Sequence, residues 1–223
     1  MEEIVLDYNP LYSLGYVRCN VPTDIMSTTK KEINLILSLE FKDQLLLNNE
    51  LAGAIEHEYL FPNLAPSLNL FFDKIIPEYW RLQNNPKEAE KKYNIITTNR
   101  QNKNTPDIWI NFQKKHEFNP LHQHNPTWGL SFVYWVSIPY KIEEESKLPH
   151  FKGNSVKNPV FTFVYTTPGN FNFLQKHFIN VDSAFEGQMI IFPSWLEHMV
   201  TPFYTSDDYR ISVSGNLSPV PYA

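Results

Sequence analysis

Helices packed on an all-β core are the fold class this sequence predicts, and two observations predict it. Up to about residue 104 the apolar residues recur at the helical period. After Asn104 the chain becomes short runs of Val, Ile, Phe, Tyr, Trp and Thr, separated by Pro, Gly and Asn. Several short strands at that spacing build an antiparallel sandwich or barrel, whereas βαβ units need a helix between successive strands. We therefore expect a helical portion over 1–104, packed on a β core over 105–223 as one globular unit. A chain of 223 residues, 42% apolar and 15% aromatic, is large and apolar enough to bury such a core.

The helices come first. From Thr23 to about Leu51, the segment beginning TDIMSTTKKEINLILSLE sets Ile33, Ile36, Leu37 and Leu39 near the 3.6-residue period. SLNLFFDKIIPEYWRLQ predicts a second helix, with Leu68, Leu70, Phe71, Ile75 and Ile76 on its buried side and a kink or break at Pro77. The polar segment 83–94, QNNPKEAEKKYN, reads as a loop or an exposed turn. The strands follow as IWINFQ, LSFVYWVSI, VFTFVYTT, FNFLQKHFI, QMIIFP and YRISVSGNL. Between the second and third lies the charged insertion KIEEESKLPHFKGNSVKNP, 141–159, of a length typical of functional lids or disordered loops.

Composition narrows the function. A formal net charge of −5 argues against a nucleic-acid partner, because phosphate binding shows as a basic surface. Cys19 is the single cysteine, which excludes an internal disulfide or a thiolate metal cluster and suits a reducing compartment. MEEIVLDYN has neither the basic nor the apolar region of a signal peptide, and no apolar run approaches the roughly 20 residues that span a bilayer. The expectation is a soluble, cytoplasmic protein without a membrane partner.

The chemistry concentrates in residues 120–135, PLHQHNPTWGLSFVYW. In a strand, residues i and i+2 share a face, so His122 and His124 can aim two imidazoles at one ion. Pro120 and Pro126 set the pair at a strand end, where a barrel has its mouth. The same spacing also fits two solvated surface histidines, and a third ligand is needed to decide. His198 offers one: it follows a strand ending at Phe192 and a turn at Pro193-Ser194-Trp195, and so also reaches a strand end. Arg210 and Ser212 are again i and i+2, joining a guanidinium fork to a hydroxyl as a carboxylate receptor. The alternative for Arg210 is an exposed strand edge.

These residues bring the sequence to a known pattern. It resembles the 2-oxoglutarate- and Fe(II)-dependent oxygenases, in the branch related to prolyl hydroxylases. The elements that carry the resemblance are His122-Gln-His124, Ser131-Phe-Val-Tyr134, Phe192-Pro-Ser-Trp-Leu-Glu-His198 and Arg210-Ile-Ser212-Val-Ser214, over about residues 105–217. The resemblance implies a double-stranded β-helix, or jelly-roll, core. It implies that His122, His124 and His198 bind Fe(II), that Arg210 and Ser212 hold the far carboxylate of 2-oxoglutarate, and that Tyr134 joins the co-substrate site. His124 departs from the pattern, since most relatives carry a carboxylate there; Glu117 is the alternative ligand, and Glu197 is expected to face away from His198.

The activity implied is that of a dioxygenase (hydroxylase), using O2 and 2-oxoglutarate to hydroxylate an unactivated C–H bond with release of succinate and CO2. Relation to prolyl hydroxylases favours a peptide or protein side chain as substrate, with a small molecule as the other choice. Trp128, Tyr134, Trp135 and Trp195 are expected either to keep water from the site or to fill the barrel core. His57, His116, His150 and His177 read as surface or structural residues, His150 lying in the insertion within possible reach of substrate. Three rival readings are a cupin, a zinc hydrolase and a non-catalytic jelly-roll binding protein. A cupin wants Gly where this chain has His116 and Glu within 126–129, which reads Pro, Thr, Trp, Gly. A zinc hydrolase lacks a general base at motif spacing here.

Overall fold

The computed structural model describes residues 15–39, 42–98, 105–125, 127–151, 153, 158–166 and 173–220. MEEIVLDYN, Pro126, parts of the 141–159 insertion and the start of FNFLQKHFI lie outside them. Helix α1 (Thr23–Ser38) buries Ile25, Thr29, Ile33 and Ile36, one stripe at helical spacing. Leu37 and Leu39, expected on that stripe, are instead exposed. The helix stops well short of Leu51: Leu39 is extended (φ −70°, ψ 132°). The segment beyond is held by Asn48, whose amide nitrogen donates to Ile55 O (2.7 Å) and Glu56 O (2.5 Å) and whose Oδ1 accepts from Glu58 N (3.1 Å). A side chain that satisfies backbone groups in this way competes directly with helix.

Helix α2 (Ala65–Leu82) runs on through Pro77, against expectation. Its buried Leu68, Phe72, Ile76 and Tyr79 stabilise it by more than the roughly 3 kcal/mol that an interior proline costs. Leu70, expected inside, is 68% exposed because it stands off that stripe. In the polar 83–94 segment, a single turn α3 (Pro86–Ala89) is capped by Asn85, which accepts from Glu88 N.

Among the described residues, thirteen strands follow one another as β1 (Val17–Asn20), β2 (Glu58–Leu60), β3 (Tyr93–Ile95), β4 (Thr97–Thr98), β5 (Thr105–Pro106), β6 (Ile108–Gln113), β7 (Asn119–His122), β8 (Leu130–Ser137), β9 (Val160–Tyr165), β10 (Gln175–Asn180), β11 (Gln188–Pro193), β12 (Glu197–Val200) and β13 (Arg210–Pro219). One sheet runs β1-β11-β8-β13-β6-β2, with β3 on the far end of β13. The second runs β10-β9-β12-β7, and β4-β5 is a separate ribbon. Every pairing between these strands is antiparallel. The two larger sheets make the jelly roll.

The larger sheet is covered on both faces, so β6 and β8 bury nearly every residue and β13 buries Arg210 and its middle, with the rest of its two ends half-buried. One face packs on the helices: Ile108, Ile110, Phe112, Phe132, Tyr134, Val213 and Leu217 join Ile25, Ile33, Leu68, Phe72 and Ile76 in one cluster. The other face looks across at the smaller sheet, where Val133, Trp135, Ile190 and Phe192 meet Phe161, Phe163 and Val200. The insertion is anchored at its start. Glu145 of α4 (Ile142–Glu145) is buried and accepts from the backbone N–H of Tyr204 and Thr205 and from the Thr205 hydroxyl (2.6 Å). No helix among the described residues is long and apolar enough to cross a membrane.

Candidate active site

Antiparallel pairing of β7 with β12 sets His122 directly across from His198. His124 lies past the end of β7, where its N–H donates to Ser194 O (2.9 Å) and holds it against the Phe192–Leu196 turn. The ring centroids of His122 and His198 are 4.3 Å apart; those of His124 and His198 are 5.1 Å apart. One ligating nitrogen from each of the three histidines lies within 4.8 Å of the others, a group able to hold a metal ion.

The Nδ1 atoms are engaged. His122 Nδ1 contacts Pro120 O at 2.7 Å, and His198 Nδ1 contacts Leu196 O at 2.9 Å. A carbonyl oxygen only accepts, so both Nδ1 atoms carry the proton and each Nε2 keeps its lone pair. His124 Nδ1 donates to Asn216 Oδ1 (2.5 Å) beside the Ser131 hydroxyl (2.7 Å), and Asn216 Nδ2 donates in turn to Asp107 Oδ2 (2.9 Å). Burial pushes the His122 pKa down. It pushes His198 well down, helped by the neighbouring His122 and His124. Neutral imidazole is the ligating form. Phe161 stacks on His198 (5.5 Å, 14°), and Phe192 meets it edge-on at 4.8 Å.

Arg210 lies in the same cavity of about 260 Å³, with Ser212, Ser214 and Asn216 following at alternate positions of β13. It is 1% exposed. Its Nε and Nη2 donate to Gln113 Oε1 (3.1 and 2.6 Å), Nη2 also to Thr201 O (2.9 Å), and Nη1 to Tyr140 Oη (2.6 Å). Each of these acceptors is neutral. The guanidinium also lies over the Phe203 ring (5.4 Å) and near the Tyr140 ring (5.9 Å). A buried cation held only by neutral oxygens is costly unless an anion joins it. Ser212 Oγ accepts from Asn111 Nδ2 (3.2 Å), which leaves its own proton free to donate.

Tyr134 is a correction. It was expected at the co-substrate, yet its hydroxyl bonds Thr29 Oγ1 of α1 (2.8 Å) inside the helix-facing core. Parity decides it, because Val133 and Trp135 take the cavity side and Tyr134 must take the other. Trp128 and Trp135 line the cavity, while Trp195 packs against the inner core. Glu117 is turned elsewhere, accepting from Lys114 N (2.7 Å) and Glu56 N (3.0 Å). Glu197 is exposed, as expected, while His198 beside it is buried. His57, His116, His150 and His177 pack on Tyr59, Tyr204, Phe151 and Tyr16, outside the cavity lining.

Sequence reasoning missed Gln113, Asn216, Asn111 and Glu58 in the cavity lining, and Tyr140, which accepts from Arg210. For β13 a signal was present, since Arg210, Ser212, Ser214 and Asn216 put four polar side chains on one strand face. Asn111 and Gln113 repeat it in IWINFQ.

Residues 107–216 match the family model described as "Putative 2OG-Fe(II) oxygenase". Residues 107–216 therefore belong to the 2OG-Fe(II) oxygenase family. Enzymes of this family are dioxygenases that work with Fe(II), 2-oxoglutarate and O2. Solved structures share the fold. A prolyl-4-hydroxylase from Pseudomonas putida is 13% identical, covering 92% of this chain and 93% of its own, at a TM-score of 0.51. HygX from Streptomyces hygroscopicus, with nickel and 2-oxoglutarate bound, is 10% identical over 94% of this chain and 85% of its own, at 0.52. The epimerase SnoN from nogalamycin biosynthesis is 11% identical over 92% and 78%, at 0.50. No curated protein matches the oxygenase in sequence.

Proposed function

We propose that this oxygenase binds Fe(II) through His122, His124 and His198, and the far carboxylate of 2-oxoglutarate through Arg210 and Ser212. One observation carries the reading: three ligating nitrogens within 4.8 Å of one another share a cavity with a buried guanidinium bonded only to neutral oxygens. The residues fit both groups. Three neutral imidazoles suit a ferrous ion, and a forked cation beside a hydroxyl suits a carboxylate. Three histidines leave the centre one charge more positive than two histidines and a carboxylate would. Asp107 answers part of that charge through Asn216, from behind His124.

The proposed prime reaction is hydroxylation of an unactivated C–H bond in a peptide or protein side chain. O2 would be the oxidant, with Fe(II) the metal that activates it: one oxygen atom would enter the C–H bond as hydroxyl and the other would enter 2-oxoglutarate, which would leave as succinate and CO2. The protein's part is placement. Pro120 O and Leu196 O fix the tautomers of His122 and His198, and Gln113 and Tyr140 set the plane of the Arg210 fork. Phe161, Phe192, Val200 and Trp135 line the inner wall and exclude water there.

The test is spectroscopic. Prepared anaerobically, the protein with Fe(II) and 2-oxoglutarate should show a weak metal-to-ligand charge-transfer band, and His198→Ala should abolish it. A folded wild-type protein without that band would sink the reading.

A further inference from the structure

The cavity has a second polar corner besides the three histidines and Arg210. Register places Glu58 of β2 opposite Asn111 of β6, and Asn111 opposite Ser212 of β13, so the three form one row on the cavity face. Asn111 Nδ2 is spent on Ser212 Oγ, and its Oδ1 has no hydrogen-bond partner. Glu58 Oε2 and Asn119 Oδ1 are likewise buried and unpartnered. Glu58 is 1% exposed and Asn111 is 3% exposed. A Cβ on Gly53 would lie 2.5 Å from Glu58 Oε1 and 2.7 Å from Asn119 Oδ1, so both oxygens face one point beside a residue without a side chain.

Such a corner is costly for the protein alone, since buried acceptors without donors forfeit their hydration. The charge acting most on Glu58 is that of Glu117, which has the same sign. Trp109 and Trp128 stand in the same cavity lining, Trp109 two residues before Asn111 on the same strand face. Acceptor oxygens and aromatic faces together select a cation.

We propose that Glu58, Asn111 and Asn119 bind a primary ammonium group of the prime substrate, their oxygens accepting its N–H donors. This rests on the oxygenase site proposed above and adds the chemical class of its substrate. Three acceptors match the three donors of an ammonium, whereas a guanidinium would bring five.

The test compares n-butylammonium chloride with butan-1-ol by ligand-observed NMR, on the protein with and without Fe(II) and 2-oxoglutarate. Wild type should prefer the ammonium by about tenfold or more, the loss expected when a charge-assisted bond is removed. Glu58→Gln should bring the two probes within about twofold, and Gly53→Ala, which places a methyl at the shared point, should weaken ammonium binding by about tenfold. Thermal melts confirm that both variants fold. Equal binding of the two probes to wild type, or a preference that survives Glu58→Gln, overturns the proposal. So does displacement of the ammonium by Mg2+ or Ca2+ at equal concentration, which would make the corner a divalent-cation site. The absorption band, read on the same samples, tests the iron site separately: if it is missing while the ammonium preference stands, the iron reading fails and the substrate corner does not.

Discussion

The two faces of the larger sheet come from the same strands and do opposite work. On β13, Ile211, Val213 and Leu217 meet the helices, while Arg210, Ser212, Ser214 and Asn216 meet the cavity. On β6, Ile108, Ile110 and Phe112 are set against Trp109, Asn111 and Gln113 in the same way. The helix face is apolar and closely packed, with Phe72 against Phe132 at 4.9 Å. The cavity face is rich in buried polar atoms, several of them unpartnered. Stability is drawn from one side, and the other can then carry the desolvation cost of a binding site.

That contrast can be broken from either side. The largest effect on stability is expected from Phe72→Ala, which should cost about 3–5 kcal/mol in urea unfolding and leave the Fe(II)–2-oxoglutarate band per folded molecule intact. Loss of the band in the folded variant would show that the faces are coupled. Arg210→Ala should act the other way. It should weaken 2-oxoglutarate by about 2–5 kcal/mol in a titration of the band. An unchanged midpoint would place the carboxylate elsewhere.

The smallest effect concerns pH. Burial, with Glu117 beside it, raises the Glu58 carboxyl from 4.5 to about 7. The folded protein therefore holds a proton that the unfolded chain releases near 4.5. The stability this lends is complete below pH 4.5 and is lost as pH rises through about 7. Glu58→Gln removes that dependence. Relative to wild type, the variant should gain of the order of 2–3 kcal/mol between pH 4 and pH 8, read by urea unfolding at each pH. No difference in slope would mean that Glu58 is solvated.

Much of the site could be read in the chain because it is written in local spacing. His122 and His124, Arg210 and Ser212 are pairs at i and i+2, and strand geometry puts each pair on one face without knowledge of the rest. Tyr134 shows the limit. Its strand could be recognised, but which parity faced the cavity depended on where α1 and α2 packed. The end of α1 at Ser38 was missed for a related reason, because Asn48 competes for its chain only once Glu58 is paired in the sheet.

Sequence alone determined the strand-rich half, the polar alternation of β13 and the three histidines at strand ends, since each follows from residues a few positions apart. Tertiary structure decided what meets across the barrel: His122 opposite His198, the polar cradle around Arg210, and the row from Glu58 through Asn111 to Ser212. Those contacts join residues as many as 101 positions apart, as between Asn111 and Ser212. The pairing register that creates them is set by which apolar faces the whole chain can bury at once.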